Sequence, residues 1–337
     1  MMKDKRLLFA LGFLISAICV YWELKEVNPS VIIGALRESR GMGFLLLMGV
    51  TLVAFWVRSY RWRWLIQAQH KVPARNLFSA TMVGFMANNL LPFRLGEFVR
   101  PMVLSRREKL SKSTLFASIV VERVVDMITL LVIFGLALWV HPISSASAAG
   151  RLTNAGAAVL LSGCIGLTAV LVVIERTPKL MTRMIHTLTS RFPESVRPKI
   201  TEGLTHFVRG LGLFRDVPRL LWVFLLSFIT FGLFALCLTV SMWSMHIDLP
   251  WYGGLIMLVI TAIGIMVPAA PGYIGTLNIA CVAGLALFGI TKQVAIPFSW
   301  FYWAGQWIPV TVVGFWCLRH EGLSLNAITH ADEGAGA

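Results

Sequence analysis

Charged side chains are scarce in this chain. Asp, Glu, Lys and Arg make up 14% of its 337 residues, where a soluble domain carries roughly a quarter. That excludes an ordinary soluble globular protein. Cysteine is also sparse, and Cys19, Cys164, Cys237, Cys281 and Cys317 all sit inside apolar runs with no CxxC pair. A disulfide framework or a zinc site has no basis here. No two histidines have the spacing of a metal pair, and there is no Gly-x-Ser-x-Gly elbow, P-loop or Asp-x-Asp. The chain is therefore read as requiring no metal or cofactor and as something other than an enzyme.

What it has instead is apolar length, with hydrophobic residues at 57% of the chain. Runs long enough to cross about 30 Å of hydrocarbon occur at 7–22, 43–57, 113–140, 155–174, 219–243 and 294–318. The expected architecture is all-α, one polytopic membrane domain over residues 1–318 followed by a short tail at 319–337. The basic start, Lys3, Lys5 and Arg6 before an apolar run, resembles a signal peptide, but no clean cleavage site precedes Glu23. The first run is read as a transmembrane helix.

Two further apolar stretches, 77–92 and 253–289, are interrupted by Asn88-Asn89-Leu90-Leu91-Pro92 and by Pro268-Ala269-Ala270-Pro271-Gly272. Broken backbone at membrane depth must be enclosed by protein or line a cavity. The net charge of +14 comes from 30 Lys and Arg against 16 Asp and Glu. In a soluble chain such an excess would suggest nucleic acid. Here it gathers between the apolar runs, at the start, over 58–112 and over 175–219, while 23–42 is balanced and 141–153 and 244–253 are nearly uncharged. Cytoplasmic loops beside anionic lipid have that pattern, so no nucleic-acid partner is expected and both termini are placed in the cytoplasm. The count closes only if each broken stretch enters and leaves on one side, the first from the cytoplasm and the second from the opposite face. Two oppositely oriented re-entrant hairpins are what an inverted repeat produces.

A weak internal likeness agrees. Gly84-Phe85-Met86 before Pro92-Phe93-Arg94-Leu95-Gly96 parallels Gly264-Ile265-Met266 before Pro271-Gly272-Tyr273-Ile274-Gly275, at offsets of 180 and 179 residues. The polar stretch 178–215 carries Ile200, Leu204, Phe207, Val208, Leu211 and Phe214 at helical spacing and reads as an amphipathic cytoplasmic segment.

Three places carry candidate chemistry. At the first break, Asn88 and Asn89 offer amides, Arg94 and Arg100 suit bidentate contact with phosphate, Glu97 lies between them, and Pro92 and Gly96 free the backbone. In the third run, Glu122, Arg123 and Asp126 are charged inside an otherwise apolar helix, with Glu122 and Asp126 on one face. Such charges cost roughly 2.5–3.5 kcal/mol each when uncompensated, and Arg94 or Arg100 is the expected partner. At the second break, Pro268, Pro271, Gly272 and Gly275 unwind the chain, leaving Tyr273, Thr276 and Asn278 as its polar side chains. Trp300, Trp303 and Trp307 with Gln306 read as an aromatic belt or ordinary packing. Trp56, Trp62 and Trp64 beside Arg58, Arg61 and Arg63 read as an interfacial anchor with no chemistry.

The run Asn88 to Arg100, the following Glu122-Arg123-x-x-Asp126 and the distant Pro271-Gly272-x-x-Gly275 together resemble a family of flippase-like integral membrane proteins. That family is named after the transmembrane region of lysylphosphatidylglycerol synthases. The likeness covers about residues 40–318, and Asn89, Pro92, Arg94, Gly96, Glu97, Arg100, Glu122, Arg123 and Asp126 match its polar motif. It implies a protein of the bacterial or archaeal inner membrane that moves lipids or lipid-linked precursors, with re-entrant helices lining the path. The implied partners are lipids with anionic or zwitterionic head groups, and a separately encoded lipid-modifying synthase is a further candidate partner. The bifunctional synthases carry a soluble aminoacyl-transferase domain, whereas fewer than twenty residues follow Leu318 here, so lysine transfer by this chain is not expected. Many relatives also carry an acidic residue where this chain has Thr276 and Asn278. The function expected is a lipid flippase, with a membrane transferase acting on a lipid carrier, or a non-catalytic synthase subunit, as the alternatives.

Overall fold

A computed structural model of the chain describes residues 29–66, 71–91, 94–140, 216–266 and 271–320, with a few isolated positions besides. The runs read at 7–22 and 155–174, the amphipathic segment 178–215, the tail beyond His320, and Pro92 and Pro268 lie outside the described residues apart from those isolated positions.

Among the described residues every long element is a helix. They are α1 (Pro29–Glu38), α2 (Gly41–Leu65), α3 (Ala74–Leu90), α4 (Gly96–Glu108) and α5 (Lys112–Val140). After them come α6 (Val217–Ser244), α7 (Gly253–Gly264), α8 (Thr276–Ala286) and α9 (Lys292–His320). Of these, α2 and α6 are long and apolar enough, by length and composition, to cross a membrane. The ends follow ordinary rules. Pro73 precedes α3 in extended conformation. Asp216 accepts a hydrogen bond from the Arg219 N–H at 3.1 Å, with Pro218 in the first turn of α6, which satisfies one of the orphan donors of the helix start. Lys109 closes α4 in the left-handed conformation.

Three expectations need correction. The run read at 43–57 belongs to a helix that continues to Leu65, so Arg58, Arg61 and Arg63 are helical rather than part of a basic loop. Part of the supposed loop at 23–42 is the ten-residue helix α1. The first hairpin is also wider than 77–92, because residues 77–90 of that stretch belong to its first arm, α3, and the second arm is α4. In the first and third cases a short apolar window undercounts helices whose charged residues pair with other helices.

The helices repeat. Helices α5 and α9 are each 29 residues long and begin 180 residues apart, each about 44 Å at about 1.5 Å per residue. Helices α4 and α8 begin 180 residues apart as well, and α2, α3 precede them as α6, α7 do. The same contact recurs inside both hairpins. A Cβ on Gly84 would lie 2.9 Å from the Gly96 carbonyl oxygen and 2.7 Å from Arg100 Cβ, and one on Gly264 would lie 3.2 Å from the Thr276 carbonyl oxygen and 2.3 Å from Ala280 Cβ. Residues 84, 96 and 100 thus correspond to 264, 276 and 280, a single offset of 180 throughout. The 179-residue register read for the second element is one short.

The two copies run in opposite directions. Helices α2 and α6 pack side by side, with the Arg40 N–H donating to the Ser244 carbonyl at 3.0 Å at one end. Thr51 Oγ1 meets Cys237 Sγ at 3.6 Å in the middle, and Arg219 Nη2 donates to the Ile66 carbonyl at 2.9 Å at the other end. The crossing point falls where Phe55 meets Phe234 edge to face, with ring centroids 5.8 Å apart. Around this pair the hairpins α3/α4 and α7/α8 face each other, with α9 packed on α3 and α5 on α7. Buried Thr51, Thr129, Ser227, Thr230, Ser241 and Thr261 return their hydroxyls to carbonyls of their own helices, so they add small volume to helix contacts without an unsatisfied donor.

Candidate functional site

Four arginines converge on two carboxylates in the first copy. Glu122 Oε1 accepts from Arg58 Nε at 3.2 Å and Nη2 at 2.9 Å, and from Arg123 Nη2 at 3.0 Å. Its Oε2 accepts from Arg100 Nη1 at 2.8 Å, and Arg61 Nη2 lies 3.3 Å from Oε1. Asp126 accepts from Arg58 Nη2 at 3.0 Å and from Arg61 Nη1 at 2.5 Å. Arg61 also donates to Ser227 Oγ at 2.6 Å. Glu122, Arg61 and Trp62 are fully buried. The Arg100 guanidinium lies 3.9 Å above the Trp62 ring, whose Nε1 donates to Ser118 at 2.9 Å. The interfacial anchor read for Trp62 and Arg61 is therefore corrected. Arg58 and Arg61 turn their charge inward because α2 faces the acidic pair on α5, 61 to 68 positions away in sequence.

Arg100, not Arg94, joins this cluster. Arg94 stands in the left-handed region at φ 54°, donates to the Ile265 carbonyl and lies 5.4 Å above the Tyr273 ring. It bridges the tips of the two hairpins. Glu97 and Arg123 form a looser, partly exposed pair at 3.9 Å.

The hairpin tips meet over the crossing point. Asn89 Nδ2 donates to Thr311 Oγ1 at 2.9 Å, and Trp307 Nε1 donates back to the Asn89 carbonyl at 3.4 Å. Trp303 Nε1 donates to the Gly272 carbonyl at 2.9 Å. Gly272 has φ 70°, and a Cβ there would lie 2.9 Å from the Trp307 ring, so the turn needs glycine both for its conformation and for this contact. Of the two readings of Trp303 and Trp307, belt or ordinary packing, the belt is corrected: their indoles pack on and hydrogen-bond to the two tips. Asn88 is buried against Gly96. Thr276 lies at the start of α8 with its hydroxyl toward the Tyr273 carbonyl. Asn278 is buried there, accepting from the Gly275 N–H at 3.3 Å and donating to Ser299 at 3.0 Å.

Beneath the tips lies a cavity of about 190 Å³. Of the candidate site residues at the two breaks, Asn89, Gly272 and Tyr273 line it, and Arg58, Thr261, Gln306 and the two tryptophans join them. One signal in the sequence could have pointed to Arg58 and Arg61. They are three residues apart, on one face of a helix, and the acidic pair requires cations at its own depth.

These features define a helical bundle of two opposed copies, with a charged cluster in one copy and a cavity under paired broken helices. The family model described as Lysylphosphatidylglycerol synthase TM region matches residues 9–314. The chain belongs to that family, a transmembrane domain tied to lipid modification. Searches of curated proteins and of solved structures give no match.

Proposed function

We propose that this protein is a lipid transporter of a bacterial or archaeal inner membrane, moving a phospholipid or lipid-linked head group between leaflets. Six helices cross the membrane, the hairpins α3/α4 and α7/α8 enter it from opposite faces, and both termini are cytoplasmic. The observation that carries the reading is the antiparallel pairing of α2 and α6 between copies offset by 180 residues. Inverted repeats with broken helices at their interface are the architecture by which transporters expose one site to alternate sides. The charged cluster fixes α2, α4 and α5 together, Arg94 and Asn89 bind the hairpin tips, and the head group passes between those tips while its tails remain in lipid. No chemical step is required of any residue.

The two copies also differ in packing as such exchange demands. Met86 is fully buried against Gly314, where a Cβ would lie 2.4 Å from Met86 Cβ, whereas its counterpart Met266 is 46% exposed. In the opposite-facing state α7 takes the closer packing, and Met266 approaches Phe134, the counterpart of Gly314. A Met266→Cys/Phe134→Cys pair, in a chain otherwise free of cysteine, is therefore expected to form a disulfide in membranes and to halt leaflet exchange until reduced. Failure to cross-link under catalysed oxidation would count against alternation.

A further inference from the structure

Among the described residues the cavity has one charged lining residue, Arg58, and no lining carboxylate. Arg58 turns Nε and Nη2 to Glu122 and Asp126, and Nη1 takes no part in those bonds. The cluster behind it is unbalanced, with Arg58, Arg61, Arg100 and Arg123 against Glu122, Asp126 and Glu97. Buried Arg61 Nε and Arg100 Nε and Nη2 have no hydrogen-bond partner among the described residues. A buried surplus of positive charge favours an anion nearby and disfavours a second cation. The rest of the wall is largely aromatic, including Phe55, Phe85, Phe234, Tyr273, Trp303 and Trp307. Such rings attract cations over their faces, but Phe85 already has the Arg58 guanidinium 5.0 Å from its centroid and Tyr273 that of Arg94. The indole N–H groups of Trp303 and Trp307 are taken by backbone carbonyls.

Resting on the transport reading above, we propose that this cavity selects an anionic head group whose only charge is its phosphate, and discriminates against one that adds an ammonium. The phosphate oxygens accept from Arg58, with the Gln306 amide at the same wall, and the uncharged remainder lies against the rings. Arg58 is the specificity-determining residue. Its guanidinium is anchored from behind by two carboxylates, so it presents a fixed donor.

The test is calorimetric binding of soluble dihexanoyl lipids to the purified full chain in neutral detergent. The probes are phosphatidylglycerol, phosphatidylcholine and the phosphate-free diacylglycerol. Phosphatidylglycerol is expected to bind at least tenfold more tightly than either, and to weaken as salt rises. Arg58→Gln is expected to lose that preference and Arg58→Lys to keep part of it. Because Arg58 also supports the cluster, Thr261→Phe supplies a second variant. It fills the cavity from α7, away from the ion pairs, and is expected to abolish binding without lowering the unfolding temperature. Equal binding of the three lipids, or unchanged binding in Thr261→Phe, would overturn the proposal. Binding as expected by a protein that moves no lipid would refute the transport reading alone, and transport without preference for the anionic lipid would refute this one alone.

Discussion

Glu122→Gln is expected to lower stability by about 3–5 kcal/mol, the range for removing one partner of a buried ion pair. Glu122 accepts from Arg58, Arg100 and Arg123, lies 3.3 Å from Arg61, and is fully buried. An amide leaves those arginines to Asp126 and the more distant Glu97. The cost is the stranded charge rather than the lost bonds, so the double variant Arg100→Met/Glu122→Gln should be less damaging than the sum of its parts. Thermal unfolding of purified protein in detergent, monitored by helical circular dichroism, measures both. A Glu122→Gln protein as stable as the parent would show that the cluster is hydrated rather than buried.

Gly96→Val should separate the arms of the first hairpin. A Cβ at Gly96 would stand 1.8 Å from the Gly84 carbonyl oxygen and 2.6 Å from Asn88 Oδ1. The first of these is backbone and cannot turn away, so α3 and α4 must part, and Arg94 and Asn89 lose their register with the second hairpin. About 3 kcal/mol, the upper end of the usual overpacking cost, is expected, together with loss of transport. Gly135→Ala is the matched control. It meets none of the described residues within 4 Å, and in a helix it should be neutral or gain up to about 1 kcal/mol. Equal effects of the two substitutions would contradict the close crossing.

The sequence made the breaks legible because closely spaced Pro, Gly and Asn disfavour a continuous helix, and Glu122 and Asp126 legible because charge inside an apolar run needs a reason. The internal likeness around Gly84 and Gly264 was also visible, and its exact register came from the close backbone contacts of the hairpins. Arg58 and Arg61 were hidden by the rule that found the loops. Counting Lys and Arg between apolar runs assigns residues 58–112 to the membrane surface, whereas these two are drawn inward by carboxylates on another helix. Trp303 and Trp307 were hidden for a related reason. A tryptophan stripe looks alike from sequence whether its N–H groups meet lipid head groups or the carbonyls of two broken helices. In both cases the deciding partner lies far along the chain.

The most direct test of lipid passage between the hairpins is leaflet exchange. Short-chain fluorescent phosphatidylglycerol and phosphatidylcholine are followed in liposomes containing the parent protein or Thr261→Phe, with mass spectrometry of the recovered lipids. The account predicts that the parent accelerates exchange of the phosphatidylglycerol, leaves the lipids chemically unaltered, and loses the acceleration when Thr261→Phe fills the cavity. Exchange no faster than in protein-free liposomes, acceleration that survives Thr261→Phe, or a covalently altered lipid would contradict it.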